Sequence, residues 1–369
     1  VVGWWRLRRK GKTLGYEFWI RPMVLEVCCG LLAAGLYGWE VVELGLAFHL
    51  NQGMNAGPRM PPITSVATVH AQFAVHLILA MFMVAISFID IDEQTIPDEL
   101  AVPGTLLGLM LLAVLPMSRL PDVPFVFINP QNIMIQGPPE RWMNAASPWN
   151  APAALSPSPN VASLALGVGC FWLWCVGLLP RPWRTRHGWL RATQLMWARI
   201  ARERVSRIIL GIAIAGGIGI AAVWWIGGAA WESLVCVLLG LAFGGLLIWL
   251  IRVIGGAALG KEVMGFGDVT LMAMIGTYLG WQATFATFVH AVFIALILGV
   301  IQWAARRDNV IPFGPFLCGG ALLTIVRWRT LWYGSYDYFA TGWPIPAIIV
   351  ACLILLGIML WLLRIVRGY

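Results

Sequence analysis

The chain contains about ten apolar stretches, most of them long enough to cross a lipid bilayer as a helix, since a hydrocarbon core of ~30 Å requires ~20 apolar residues. They run approximately over residues 22–48, 64–89, 99–117, 161–179, 208–227, 231–254, 267–280, 282–304, 312–327 and 344–364. Only 11% of the 369 residues are Asp, Glu, Lys or Arg, whereas about a quarter are charged in a soluble protein. The sequence therefore predicts an all-α, polytopic transmembrane helical bundle of about ten spans. The range is eight to ten, because 267–280 is short and 312–327 contains Pro315.

Lys and Arg residues predict the orientation of these spans, because cytoplasmic loops are enriched in them. Basic residues cluster at 6–12 and at 181–207, where eight arginines accompany the single acid Glu203. Both clusters fall on one side if the spans alternate, so we expect a multi-pass protein of the plasma (inner) membrane with both termini in the cytoplasm. The 181–207 segment fits a topology determinant lying against anionic lipid better than a nucleic-acid site. We expect the lipid bilayer, and no nucleic acid, among its partners.

Acidic residues concentrate at the end of the second predicted span, in the segment Phe88-Ile-Asp-Ile-Asp-Glu-Gln-Thr-Ile-Pro-Asp-Glu99. Helical residues two apart point to nearly opposite sides, so Asp90 and Asp92 cannot face the same partner. Asp90 continues the apolar span and is expected to face the bundle, with Asp92, Glu93, Asp98 and Glu99 solvated. An acid at a span is a functional hypothesis by default. The alternative is a helix-end charge at the lipid headgroups.

A second acidic site precedes the seventh span, in Gly265-Phe-Gly-Asp268. Glycines at 265 and 267 allow the backbone to adopt φ > 0 and to approach another segment closely. Asp268 is then expected at a helix N-terminus, where the backbone dipole favours its ionised form. The alternative interpretation is an ordinary N-cap, for which Asp is a favoured residue.

Together, Asp90 and Asp268 suggest the chemistry of paired carboxylates. When two carboxyl groups share one proton, one activates water as a base and the other polarises a carbonyl group. Such a dyad hydrolyses a peptide bond without metal or covalent intermediate. The sequence has no G-x-S-x-G or H-E-x-x-H motif, and its seven cysteines form no C-x-x-C pair. We therefore expect no metal and no cofactor, and we interpret the five histidines as packing or interface residues.

At these residues the sequence resembles the type IV prepilin peptidases, membrane aspartyl proteases of the G-x-G-D class. Three stretches carry the resemblance: residues 88–98, residues 260–281, and Ile311-Pro-Phe-Gly-Pro-Phe-Leu317. The resemblance implies that the catalytic aspartates are Asp90 and Asp268, with Asp92 the weaker candidate. It also implies supporting roles for Gly265, Gly267, Pro97, Asp98 and Glu26. The substrate would be a prepilin or pseudopilin of a type IV pilus or protein secretion system.

Bacterial members of the family usually carry paired C-x-x-C motifs and a region associated with N-methylation. Lys10-Gly-Lys-Thr-Leu-Gly-Tyr16 stands where the second cysteine pair is expected and contains no cysteine. Zinc binding is therefore not expected of these residues, nor is methyl transfer unless sequence upstream of them supplies it.

The resemblance divides the chain into five segments. Residues 1–20 are a short basic cytoplasmic segment, and 21–117 the first part of the peptidase membrane domain, with Asp90. Residues 118–228 are an insert made of a loop with nine of the 22 prolines, two spans and a basic loop. Residues 229–327 are the second part of the domain, with the G-x-G-D motif, and 328–369 an extra C-terminal span. Two alternatives stay open: cleavage of another membrane substrate, and a proton- or cation-coupled transporter that uses the same aspartates.

Overall fold

The protein is a bundle of long helices. A computed structural model describes residues 17–46, 65–122, 127–128, 134–135, 143, 145, 159–179, 202–260, 264–304, 312–341 and 344–367. Within these ranges the long helices are α1 Glu17–Tyr37, α2 Val66–Glu93, α3 Asp98–Val114, α4 Val161–Leu178, α5 Arg204–Ile226, α6 Gly228–Leu259, α7 Phe266–Ala304, α8 Gly314–Thr341 and α9 Pro344–Arg367. A π-helix, Gly38–Val42, extends α1. The expectation of an all-α polytopic bundle is confirmed.

Helix α7 is two antiparallel helices joined at Gly280, which has φ 78° and ψ 167°. Thr284 lies against Gly276, since a Cβ atom at Gly276 would be 3.3 Å from Thr284 Oγ1. Eight residues of a straight helix would separate the two by ~12 Å. We call the halves α7a, residues 266–279, and α7b, residues 281–304. They correspond to the separate spans that the sequence predicts at 267–280 and 282–304.

Glycines let α6 pack closely against α7a. A Cβ atom at Gly240 would lie 2.9 Å from Gly280 Cα, and one at Gly244 would lie 3.0 Å from the carbonyl carbon of Met272. On the other side of α7a, Tyr278 packs over Gly108 of α3 and donates a hydrogen bond of 2.9 Å to Gly104 O. Small residues at helix contacts are typical of membrane bundles, where close backbone approach replaces the hydrophobic effect as the driving force.

The end of α2 and the starts of α3, α7 and α8 lie at one end of the bundle. We call it the aspartate end. Helix α4 also ends here, because Gly177 packs against Phe266. Helix α9 ends here as well, since the Arg364 guanidinium lies against Gly260 just after α6. Helix α1 begins at this end, because its last residue, Tyr37, meets Phe73 near the start of α2.

The insert closes the opposite end of the bundle. Arg119 is buried and donates hydrogen bonds to Pro116 O and to Met143 O, at 3.1 and 2.8 Å. Buried Asp122 accepts a bond of 2.8 Å from the Trp332 indole of α8. After Asp122 the described part of the loop contains a two-residue antiparallel ladder, Phe127–Ile128 with Met134–Ile135. The remainder of the predicted loop 118–160, the N-terminal basic run and most of the basic segment 181–207 lie outside the described residues.

Two features differ from the sequence prediction. With α7 counted as one helix across its kink, seven described helices are long and apolar enough to span a membrane, and α3 and α8 are not among them. Helix α3 has only 17 residues. The predicted boundary after residue 327 falls inside α8, which continues to Thr341. Trp328 and Trp332 keep the helix in the bundle, since both are buried, stack at 5.4 Å and bond the insert loop.

Candidate active site

Asp90 lies in the last turn of α2 and points into the bundle. Its side chain is buried, whereas Asp92 and Glu93 are exposed, as the helical periodicity predicts. The helix ends just after Glu93 because Gln94 adopts the left-handed conformation, with φ 52°, and its N–H donates a bond of 2.9 Å to Asp90 O. The end of α2 therefore presents a single carboxyl group to its neighbours.

Asp268 is the third residue of α7 and is buried as well. Its carboxyl group interacts with the backbone amide of Gly265, which precedes the helix. That contact is half of a capping box, in which the third helical residue reaches back to the amide of the N-cap. Asp268 therefore has part of the helix-capping role that was the alternative interpretation, and this contact holds its side chain in one direction.

The fold brings the two carboxyl groups together. Asp90 and Asp268 interact electrostatically, and the buried thiol of Cys318 in α8 lies near both. The amide of Gly314 interacts with the Asp90 carboxyl group. Asp90 Oδ2 is buried and forms no hydrogen bond with the described residues. A buried carboxyl oxygen without a hydrogen-bond partner, near a second acid, is a site where a water molecule can bind.

Ile96 belongs to the first of the three motifs and contacts the other two, at Gly267 and at Gly314. A Cβ atom at Gly267 would lie 2.6 Å from Ile96 Cβ, and one at Gly314 would lie 3.2 Å from Ile96 Cδ1 and 3.2 Å from Asp90 Cγ. Glycine is therefore required at both positions for close approach. Of the two properties that glycine allows at these positions, Gly267 uses the close approach, and neither Gly265 nor Gly267 is among the described residues with φ > 0. Helix α7 begins at Phe266, so Gly267 is helical.

Pro97 and Asp98 begin α3 and connect it to α7. Pro97 is the N-cap residue, with φ −74° and ψ 126°. Asp98 is exposed, yet its carboxylate interacts with the Thr270 hydroxyl group, which donates a hydrogen bond of 2.9 Å to Gly267 O. The two acids of the first turn, Asp98 and Glu99, also match the positive end of the helix dipole. This segment positions the motif and does not add a third acid to the dyad.

Glu26 does not reach this site. It is exposed on α1, and no described hydrogen bond or ion pair joins it to either aspartate. Arg252 of α6, which the sequence analysis did not single out, does reach it. The guanidinium group lies 5.7 Å from the Phe266 ring centroid and interacts electrostatically with Asp268. A lone cation in an apolar span was the signal that could have identified it.

A second buried polar pair joins His76, in the first half of α2, to Glu40 of the π-helix. Glu40 and His76 are 2% and 0% exposed, and His76 Nδ1 is 2.6 Å from Glu40 Oε1. The π-helix places Glu40 there, and π-helical turns are frequent at functional sites. The interpretation of His76 as a packing residue omitted this partner. Glu40 was missed although an acid inside a predicted span is a marker.

Fold and site together define a class: an α-helical membrane protein with two buried carboxyl groups paired at one end of its bundle. Among the described residues, no group of three or more His, Cys, Asp or Glu could hold a metal ion. Residues 200–300 match the model of the Type IV leader peptidase family. The matched segment contains Gly265, Gly267 and Asp268 but not Asp90.

Curated relatives agree with that match. The chain is 37% identical over 106 residues to a Prepilin leader peptidase/N-methyltransferase of Pseudomonas aeruginosa, covering 28% of this chain and 34% of the relative. A protein of the same name from Stutzerimonas stutzeri is 34% identical over 116 residues, covering 29% and 38%. One from Pectobacterium carotovorum subsp. carotovorum is 32% identical over 97 residues, covering 26% and 35%. No solved structure matches.

These comparisons confirm the resemblance to the type IV prepilin peptidases. The chain spans about a third of the length of the curated relatives it matches.

Proposed function

We propose that this protein is a membrane aspartic endopeptidase that removes leader peptides from type IV prepilins or pseudopilins at the cytoplasmic face. The observation that carries the proposal is the proximity of Asp90 and Asp268, both buried at one end of a membrane bundle. Helices α2 and α7 carry one carboxyl group each, and glycines at the helix contacts allow the two groups to lie close together. The similarity of residues 200–300 to leader peptidases supports the substrate class.

Hydrolysis would use the two carboxyl groups in complementary states. The ionised carboxylate accepts a proton from a bound water molecule as the water oxygen attacks the scissile carbonyl carbon. The protonated partner donates its proton to the carbonyl oxygen. The C–N bond then breaks as the tetrahedral intermediate collapses, and the leaving amine takes up the proton that came from water. One hydroxyl proton of the intermediate returns to the carboxylate that had protonated the carbonyl oxygen, which restores the starting state of the pair. Asp90 Oδ2, buried and without a described hydrogen-bond partner, is the acceptor around which we place the water molecule.

The cytoplasmic assignment rests on basic residues at the aspartate end. Arg204 begins α5, Arg202 and Arg207 lie beside it, and Arg364 lies against Gly260. Basic residues next to spans favour the cytoplasmic side. We propose the plasma membrane as the location and place both chain termini on the cytoplasmic side, because α1 begins and α9 ends at this end.

A transporter that relays protons through the same aspartates is the weaker candidate. It would need polar groups continuing from Asp90 through the bundle. No such path follows α2, the helix that carries Asp90, because its buried residues between Asp90 and His76 are Leu79, Ala80, Met83 and Ile86, all of them apolar. The enzymatic proposal is proteolysis, because that is the chemistry that the two neighbouring carboxyl groups support.

The proposal is tested by expressing the protein in a bacterial host that lacks its own prepilin peptidase, together with each prepilin-like protein encoded in the source genome. Leader removal is followed by electrophoretic mobility and by N-terminal sequencing of the product. We expect cleavage with the native chain and none with Asp90→Ala or Asp268→Ala at equal membrane levels. Cleavage that survives both substitutions would reject the catalytic assignment, and no cleavage of any substrate would reject the function.

A further inference from the structure

A groove of about 420 Å³ runs along α7a, beside the aspartates. Its walls come from α4, α6 and α7a, and they include Leu173, Gly177, Leu246, Trp249, Phe266 and Val269. Leu173 and Leu246 are 49% and 40% exposed, so the groove is open on the outside of the bundle. Helix α4 belongs to the insert 118–228, which gives that segment a place next to the catalytic helix.

The groove ends beside the start of α7a, near the aspartate site. Its end is formed by Phe266, two residues before Asp268, and by Thr270, whose hydroxyl group interacts with Asp98. Arg252 lies over the Phe266 ring and also interacts with Asp268. The lining residues 266, 269, 270 and 273 form one face of α7a, and Asp268 points to another. A chain leaving the groove must therefore cross the start of α7a, about 10 Å, or roughly three extended residues, to reach Asp268.

The groove and its surroundings differ in charge. Its lining is almost entirely apolar, whereas exposed Asp98 lies next to the lining residue Thr270, with exposed Glu99 beside it in the chain. The cation at this end, Arg252, is buried and interacts with Asp268. The complementary partner is an apolar helix whose polar extension carries basic residues. A lipid acyl chain would match the apolar part but not the acidic end.

We propose that this groove seats the apolar helix of the substrate, with insert helix α4 forming one wall and so contributing to substrate selection. The inference rests on the proposed peptidase function and adds the docking surface. The substrate helix enters from the bilayer, its apolar residues occupy the groove, and its basic extension lies over the exposed acids. The scissile bond then falls at Asp90 and Asp268, with about three extended residues bridging to the groove.

Photo-crosslinking tests the position of the substrate. The photoreactive residue p-benzoylphenylalanine replaces Leu173 in the full chain carrying Asp268→Asn, in membranes that contain the prepilin cleaved by the native protein. The matched control is Leu210 of α5, also in the insert, at similar depth and 44% exposed, but not part of the groove. We expect crosslinks from position 173 to the substrate helix, beginning about three residues after the cleavage site, and none from position 210. Crosslinks to lipid alone at position 173, or equal crosslinking at both positions, would overturn the inference.

Filling the groove provides a kinetic test with the otherwise native enzyme. Gly177→Leu projects a side chain into the groove, because a Cβ atom there has only Phe266 Cζ at 3.9 Å. We expect KM for the prepilin to rise roughly tenfold with kcat nearly unchanged, about the effect of losing one buried apolar side chain. Gly169→Leu on the same helix, where nothing lies within 4 Å, should leave KM unchanged. Normal cleavage with an unchanged KM for Gly177→Leu would reject the groove alone, whereas no cleavage by the native chain would reject the peptidase function itself.

Discussion

The carboxyl group of Asp90 lies directly against the backbone of Gly314, so that a Cβ atom at position 314 would be 3.2 Å from Asp90 Cγ and closer still to Oδ2. The first residue of α8 thus limits where the last turn of α2 can place its carboxyl group. The motif Ile311-Pro-Phe-Gly-Pro-Phe-Leu317, far from either aspartate in sequence, acts on the site through this contact.

Gly314→Ala should displace the Asp90 carboxyl group and lower leader removal by about 10²-fold, since a shift of about 1 Å in a reacting group can cost that much. The measurement is the initial rate of cleavage in membranes at equal protein levels. Gly319→Ala in the same helix is the control, because its Cβ atom would meet only Ile294 Cδ1 at 3.6 Å. Equal rates for the two variants would contradict the proposed contact.

Asp90→Asn and Asp268→Asn should each reduce the cleavage rate by about 10²- to 10⁴-fold, the usual contribution of general acid–base catalysis. Asp92→Asn should retain activity, because Asp92 is exposed on the other side of α2. Rates are compared in one reconstituted preparation with one prepilin. A larger loss for Asp92→Asn than for Asp90→Asn would move the first catalytic aspartate to position 92.

Gly267→Ala should lower activity about 10²-fold, because its methyl group would lie 2.6 Å from Ile96 Cβ and 3.2 Å from Ile96 O. The effect of Gly265→Ala should be smaller, since its Cβ atom would meet nothing closer than Asp268 Oδ2 at 3.8 Å. Gly299→Ala in α7b, with nothing within 4 Å, serves as the control. An equal loss of activity for Gly265→Ala and Gly267→Ala would contradict this expectation.

Thr270→Val should lower the cleavage rate by roughly fivefold, because it removes the hydroxyl group that contacts Gly267 O and Asp98, and one such bond contributes about 1 kcal/mol. Thr270→Ser should restore most of the rate. Both variants keep a side chain in the groove, so KM and kcat are measured separately. A rate for the serine variant as low as that of the valine variant would show that packing, and not the hydroxyl group, matters here.

Glu40→Leu or His76→Leu alone should destabilise the protein by about 1–3 kcal/mol, because each leaves a buried polar partner unsatisfied. The double variant should be less destabilised than either single one. Thermal unfolding in detergent measures the effect. Leader removal should stay near the native rate, since fourteen residues of helix place His76 ~21 Å from Asp90. Additive losses in stability would contradict the coupling between these two side chains.

Local rules predicted the parts of the site that depend on one helix at a time. The opposite directions of Asp90 and Asp92 follow from helical periodicity, and Asp268 lies in a first helical turn as expected. The division of α7 near residue 280 was also predicted from the lengths of the apolar stretches. The role of Gly314 was not, because it depends on contact between α2 and α8, whose sequences are more than two hundred residues apart. Glu40 and His76 were missed for the same reason.

The sequence by itself determined that the protein lies in a lipid bilayer, because so few of its residues are charged. It also identified the candidate functional residues, because an acidic side chain in or beside a membrane span costs free energy and is rare without a function. The tertiary structure decided which of these acids meet. Asp90 and Asp268 lie near each other because Gly267 and Gly314 have no side chain and leave room for Ile96 between the helices. Glu26, in contrast, is exposed on α1. It also decided that insert helix α4 lies beside α7a and forms a groove there. Such contacts depend on how side-chain volumes fit across helices, and no periodicity within one segment encodes that fit.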